Sequence, residues 1–208
     1  MKAVAIKAYG DINNLHEIEL GVPELAEDEV LVENYATSVN PIDWKARLGY
    51  LKEAYSWEFP VILGWDTAGV ITQVGAKVTN FKIGDKVFAR PDIYADGKRG
   101  TYAQYVAVKE DKLALKPDEI TFEEAAAVPL AGLTALQVVV DRLHVKKGDK
   151  VLIQGGAGGV GLFAIQIAKH LGAYVAATAS KKNHEFLKSL GADEVIDYHE
   201  AKIGTVLS

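Results

Sequence analysis

From Lys2 to about Pro117, apolar and polar residues alternate in short runs, at 2–8, 29–35, 67–73, 85–88 and 101–108. Period-two alternation of this length predicts strands with one face buried. Gly10, Gly21, Gly64, Gly75, Gly84 and Gly97 punctuate the runs, the spacing expected of a small β barrel or sandwich. Residues 40–57 break the rhythm with mixed aromatic and charged positions and predict an irregular insertion, a segment that carries function more often than packing.

The pattern changes at Thr121-Phe122-Glu123-Glu124, a capping box that opens a stretch rich in alanine and leucine, with Pro129 as a kink. This change predicts two domains, 1–120 and 121–208. In the second, a continuous apolar strand over 151–154 precedes a glycine loop, and a helical pattern follows over 160–171. A strand over 174–179, a helix over 182–190 stopped by Gly191, and a strand over 194–198 complete a βαβαβ unit. Continuously apolar strands between helices predict a parallel sheet covered on both faces, so the fold class is α/β joined to a β domain.

The loop reads Gly156-Ala157-Gly158-Gly159-Val160-Gly161 and sits between a predicted strand and a predicted helix. In that context a G-x-G-x-x-G pattern points to a dinucleotide: the first glycine allows the turn, the second admits the pyrophosphate, and the third lets helix approach strand. An ordinary glycine-rich turn is the competing reading. An NAD-binding unit would carry Asp or Glu about 20 residues further on. Here the text is Ala179-Ser180-Lys181-Lys182-Asn183, with a hydroxyl and two ammonium groups that suit a ribose phosphate. NADPH is therefore the expected cofactor, although Ser180 also fits a plain helix cap.

Composition narrows the classes. With 23 basic and 28 acidic residues the net charge is -5, spread without a basic run, so nucleic-acid binding has no electrostatic support. No cysteine is present, which excludes disulfides and thiolate metal sites and suits a reducing, cytoplasmic setting. No window approaches the ~20 apolar residues of a membrane span. His16, His144, His170, His184 and His199 are scattered without ligand spacing, and no metal is expected.

Together, Asn40-Pro41-Ile42-Asp43-Trp44-Lys45, Gly64-Trp65-Asp66-Thr67-Ala68-Gly69-Val70, Gly84-Asp85-Lys86-Val87, Gly100-Thr101-Tyr102-Ala103-Gln104-Tyr105, Leu130-Ala131-Gly132-Leu133-Thr134-Ala135 and the glycine loop resemble one family. This is the medium-chain dehydrogenase/reductase superfamily, in its zinc-free quinone oxidoreductase branch. The resemblance implies a GroES-like β barrel followed by a partial Rossmann domain. Zinc-dependent relatives carry cysteine where Asn40 stands and a His-Glu pair where Trp65-Asp66 stands; an amide and an indole cannot replace thiolate and imidazole on Zn²⁺.

By the same resemblance, Asn40 and Thr134 belong at the nicotinamide end, and Tyr198 lies near the adenosine phosphate with Ser180, Lys181 and Lys182. Local pattern alone also reads Asn40 as a turn residue before Pro41, Thr134 as a self-bonded helix residue, and Asp43 as an anchor for Lys45 or Arg47. Asn40, Asp43 and Tyr50 are candidate catalytic groups; Tyr50 and Tyr55 could line a cleft or donate a proton, or only pack.

The implied activity is zinc-independent transfer of hydride from NADPH to quinones or activated alkenes. An enoyl-thioester reductase and a non-catalytic NADPH-binding or structural protein are the alternatives. The family implies a possible homodimer. Residues 201–208 read as the approach to a second half of the nucleotide domain, so the chain is expected to be truncated, with the Val151 strand an exposed apolar edge.

Overall fold

A computed structural model describes residues 1–92 and 96–200; the segment 201–208 lies outside the described residues. The chain forms two compact units, Met1–Leu130 and Ala131–Ser208.

In the first unit, β1 (Lys2–Ile6) pairs antiparallel with β2 (Leu15–Glu19) and with the short β4 (Val61–Ile62). A second sheet has the order β7-β3-β5-β6-β8, built from β3 (Glu29–Ala36), β5 (Thr67–Val74), β6 (Lys86–Ala89), β7 (Tyr105–Lys109) and β8 (Leu113–Leu115). Val30, Val32, Ile71, Val87, Val106 and Val108 form its buried face. Among the described residues of this unit the strands make two sheets, of three and five strands. The segment before β7 leaves β3 beyond the Glu33–Tyr105 pair and crosses to β1. It is held there by the Ala3–Ala103 bridge and by Val4 N–H donating to the Tyr102 carbonyl.

The insertion after β3 is more ordered than its sequence predicts. Pro41–Arg47 is a helix, α1, with Asn40 as N-cap, proline in the first turn and Asp43 as the reciprocal capping-box residue. Its two turns are too short for the apolar face to register as a period, so only the cap could have disclosed it. Strands β2, β4 and β8 also escaped the pattern. β2 has its residues exposed or half-buried, and β4 has only two residues.

The helical stretch after Thr121 divides into α2 (Phe122–Ala126) and α3 (Pro129–Leu136), with the break at Pro129, whose missing N–H cannot continue α2. α2 buries Ala125 and Ala126 against Ala68 and Phe88, so it packs on the β unit and the compact units divide at Leu130 rather than at residue 120.

In the second unit, α3 continues into a π-helical segment, Gln137–Arg142. The parallel strands β9 (Lys150–Ile153), β10 (Tyr174–Thr178) and β11 (Glu194–Ile196) follow in the order β11-β10-β9. Helices α4 (Gly159–His170) and α5 (His184–Ser189) connect them. Ile153, Ile165, Val175, Ala177 and Leu187 form the core. Among the described residues β9 and β11 are the two edges of this sheet, and Val151 of β9 is half-buried.

Candidate functional site

Two groups of polar atoms stand out, one in each unit. In the second, the glycine loop turns directly off β9. Gly155 N–H donates to Thr178 Oγ1 at 3.0 Å and Gly156 N–H to the Thr178 carbonyl at 2.9 Å, so the last residue of β10 pins the loop. Gly158 is the N-cap of the 12-residue α4, whose first capping bond runs from Leu162 N–H to the Gly158 carbonyl at 3.0 Å. Gly159, Val160 and Gly161 precede that bond, in the turn whose N–H groups have no partner within the helix. Those groups, with the positive end of the helix dipole, fit an anion. Gly161 lies flat on the loop: a Cβ there would meet the Gly155 carbonyl oxygen at 2.5 Å and the Gly156 Cα at 2.8 Å.

Ser180, Lys181 and Lys182 follow β10. Ser180 opens the 3-10 turn Lys181–Asn183, and both lysines are exposed. Asp197 joins this turn to the end of β11: its carboxylate accepts Lys181 N–H at 3.0 Å and His199 N–H at 2.9 Å. The Lys181 N–H bond dominates less than that of His199 in holding the Asp197 pKa below its ordinary range. Tyr198 is exposed and rests against the His199 ring. Thr134 lies on α3, three residues beyond Ala131, whose methyl is 3.7 Å from where a Gly159 Cβ would be.

The first unit holds a denser cluster around Asn40, Asp43 and Asp66. Asp66, 1% exposed, ends the apolar run that begins at Val61. Its Oδ2 accepts Asn40 Nδ2 at 2.6 Å and the Ser38 hydroxyl, and its Oδ1 accepts Leu130 N–H at 2.7 Å. Thr37 Oγ1 donates to the Asp66 carbonyl at 2.7 Å. Asp43, 4% exposed, accepts Asn40 N–H through Oδ2. Its Oδ1 is buried without a hydrogen bond of ordinary geometry, although the Tyr102 phenol is a near neighbour that feels its charge. The alternative reading of Asp43 as an anchor for Lys45 or Arg47 is not what the structure has: Asp43 caps α1, and Arg47 donates to the Gly10 carbonyl at 2.6 Å. Tyr50 is 66% exposed and meets the Trp44 ring edge-on.

Burial pushes both Asp43 and Asp66 carboxyls above the usual aspartate range; hydrogen bonds from Asn40, and for Asp66 from Ser38 and Leu130, act against it. Burial, with the Asp43 charge beside it, pushes the Tyr102 phenol up as well. A carboxyl whose pKa rises on folding keeps its proton in the folded chain after the unfolded chain has lost it. Its contribution to stability is full below the ordinary value of about 4 and is lost as pH rises through the folded value. Asp43→Asn removes this dependence. The variant's urea midpoint, compared with the parent's, should improve from about pH 4 upward; a difference constant with pH would count against the shift.

Pattern reading missed Asp66, Ser38 and Thr178 as site residues. A carboxylate closing an apolar run and a threonine closing the strand Tyr174–Thr178 were the available signals, since a buried polar group must have partners. Among the described residues, no group of three or more His, Cys, Asp or Glu is placed to hold a metal ion. Where thiolate and imidazole ligands would be required, Asn40 is bonded to Asp66 and Trp65 is buried in the apolar cluster with Trp57 and Leu63, so the residues do not fit zinc. Among the described residues, no helix is long and apolar enough to cross a membrane.

Two family models match the chain: the alcohol dehydrogenase GroES-like domain over residues 26–118 and the zinc-binding dehydrogenase model over residues 159–207. The 2-methylene-furan-3-one reductase of Solanum lycopersicum is 44% identical over 95% of this chain and 52% of its own length. A chloroplastic NADPH-dependent alkenal/one oxidoreductase of Arabidopsis thaliana is 43% identical over 98% of this chain and 54% of its own length. The chain thus spans about half the length of these curated relatives. Among solved structures, the quinone oxidoreductase from Coxiella burnetii superposes with a TM-score of 0.90 at 40% identity, over 100% of this chain and 65% of that one.

Proposed function

This chain belongs to the medium-chain dehydrogenase/reductase family, in its zinc-free quinone oxidoreductase branch, and on that premise we propose that it serves an NADPH-dependent reductase of quinones or enones. One observation carries the reading. A helix with open N–H groups follows a glycine loop pinned to β10, and β10 leads into Ser180, Lys181 and Lys182 where a carboxylate would select NADH.

In this reading Gly156, Gly158, Gly159, Val160 and Gly161 hold the pyrophosphate through main-chain N–H groups. Ser180, Lys181, Lys182 and Tyr198 take the ribose phosphate, the lysines by charge and the two hydroxyls by hydrogen bonding. Asn40 and Thr134 serve the nicotinamide end. Bound NADPH supplies the hydride. Asp43 and Tyr50 are the proposed proton donors, Tyr50 being the exposed one and Asp43 the one whose carboxyl burial pushes above the usual aspartate range.

Lys181→Ala with Lys182→Ala should weaken NADPH binding at least tenfold and leave NADH binding within about twofold, on loss of two charge-assisted contacts. Titration of reduced-nicotinamide fluorescence measures both; equal losses for the two cofactors would remove the phosphate assignment. NADPH oxidation that depends on added quinone or enone tests the reaction itself, and tight binding without turnover of either acceptor would favour the non-catalytic alternative. A homodimer and a cytoplasmic location complete the proposal, supported by family membership and the cysteine-free composition. Sedimentation and cell fractionation test them, the latter against the chloroplast named for the Arabidopsis relative.

A further inference from the structure

One carboxylate in the second unit holds both segments assigned to the ribose phosphate. Asp197 directly follows β11, and β11 lies beside β10 in a register that ends at the Thr178–Ile196 pair. Main-chain pairing runs on to Ala179 N–H, which donates to the Ile196 carbonyl at 3.1 Å, and beyond it Asp197 supplies the contact. Its Oδ2 accepts Lys181 N–H at 3.0 Å, at the start of the turn that carries Lys181 and Lys182. Its Oδ1 accepts His199 N–H at 2.9 Å, which closes an Asx turn around Tyr198.

A negative charge here works against a phosphate that the two lysines would attract. The charge is present at neutral pH, because the His199 and Lys181 N–H bonds hold the Asp197 carboxyl below the ordinary aspartate range, with the His199 and His184 rings adding to the effect. Geometry accounts for its use. Each N–H meets a different oxygen, so asparagine, with one acceptor, would release one of the two segments.

We propose that Asp197 is a positioning residue for cofactor specificity: it joins the Lys181–Lys182 turn to Tyr198, so that groups on both segments close on one ribose phosphate. The inference rests on the reading that these residues bind that phosphate.

Asp197→Asn distinguishes positioning from a bystander charge by the sign of the change. Removing a bystander's negative charge would tighten NADPH binding, whereas releasing one segment should weaken it by about five- to tenfold, the loss of one phosphate contact. NADH lacks that phosphate and should bind within about twofold of the parent. Asp197→Glu keeps the charge but moves the oxygens out by one methylene, and should show the same selective loss. Fluorescence titration of the full chain with each cofactor measures both variants. Tighter NADPH binding in Asp197→Asn, or parent-like NADPH binding in Asp197→Glu, would overturn the proposal. Equal losses for the two cofactors would do so as well, since that is what a merely structural role produces. The Lys181→Ala, Lys182→Ala protein keeps the two readings apart: if it loses NADPH selectively and Asp197→Asn does not, the phosphate assignment stands and the role of Asp197 falls.

A measurement on the parent protein stands apart from any failure of a variant to fold. The main-chain amide hydrogens of Lys181 and His199, both on exposed residues, should exchange at least about tenfold more slowly than in an unstructured peptide. Unprotected exchange at either would show that the carboxylate does not hold that segment, and the proposal would fall.

Discussion

Gly161→Ala should lower NADPH affinity by ten- to a hundredfold while the chain stays folded. The added methyl would sit 2.5 Å from the Gly155 carbonyl oxygen and 2.8 Å from both the Gly156 Cα and its carbonyl oxygen. All three are main-chain atoms, and the Gly155–Gly156 peptide is itself held by Thr178. The first turn of α4 must therefore move off the loop, carrying the Gly159 and Val160 N–H groups away from the phosphates. Overpacking of this kind costs about 1–3 kcal/mol, and if that cost falls on the bound geometry it becomes the stated range in Kd. Calorimetric titration with NADPH measures it. Parent-like affinity in a folded Gly161→Ala protein would mean that the phosphates do not use this turn.

Gly69→Ala should be the most destabilising single methyl in the first unit. Gly69 lies in the middle of β5 opposite Asn34, beside the register shift between Asn34 and Ala36 on β3. A Cβ here would run into the Glu33 carbonyl oxygen and lie 2.9 Å from the Glu33 carbonyl carbon. Neither strand can retreat. β3 is also bonded to β7, and β5 to β6. The loss should lie at or above the top of the ~1–3 kcal/mol that overpacking usually costs. Denaturant unfolding of the parent and Gly69→Ala proteins gives the difference; a shift smaller than about 1 kcal/mol would contradict the closeness of the two strands.

How much of this could be read from the residues depends on the range over which each feature is decided. β3, β5 and α4 are long enough for their apolar period to register, and their observed bounds lie within a residue or so of the expected ones. The glycine loop was legible because a local conformational need selects glycine. α1 was not, because two turns carry too few positions and the signal lay in a cap formed by Asn40 and Asp43. The crossing from β3 to β1 was not legible either, since it depends on backbone pairing between Ala3 and Ala103, residues with no side-chain signature. Asp66 shows the same limit within the candidate site. Its partners at 38, 40 and 130 are distant in the chain, and no spacing rule links an aspartate to an asparagine 26 residues before it.

Those same separations bear on how the site comes into being. The three side-chain contacts of Asp66 close loops of 26, 28 and 64 residues. Contacts of such span are made only after the chain has given up the entropy of bringing distant segments together. The glycine loop instead needs Thr178, 23 residues on, and a single helix between neighbouring parallel strands. In a refolding experiment followed by pulsed hydrogen exchange, the amides of α4 should gain protection before those of Asn40 and Leu130. A newly made chain would then present the turn proposed for the cofactor phosphates to the cell before the Asn40 amide has an orientation.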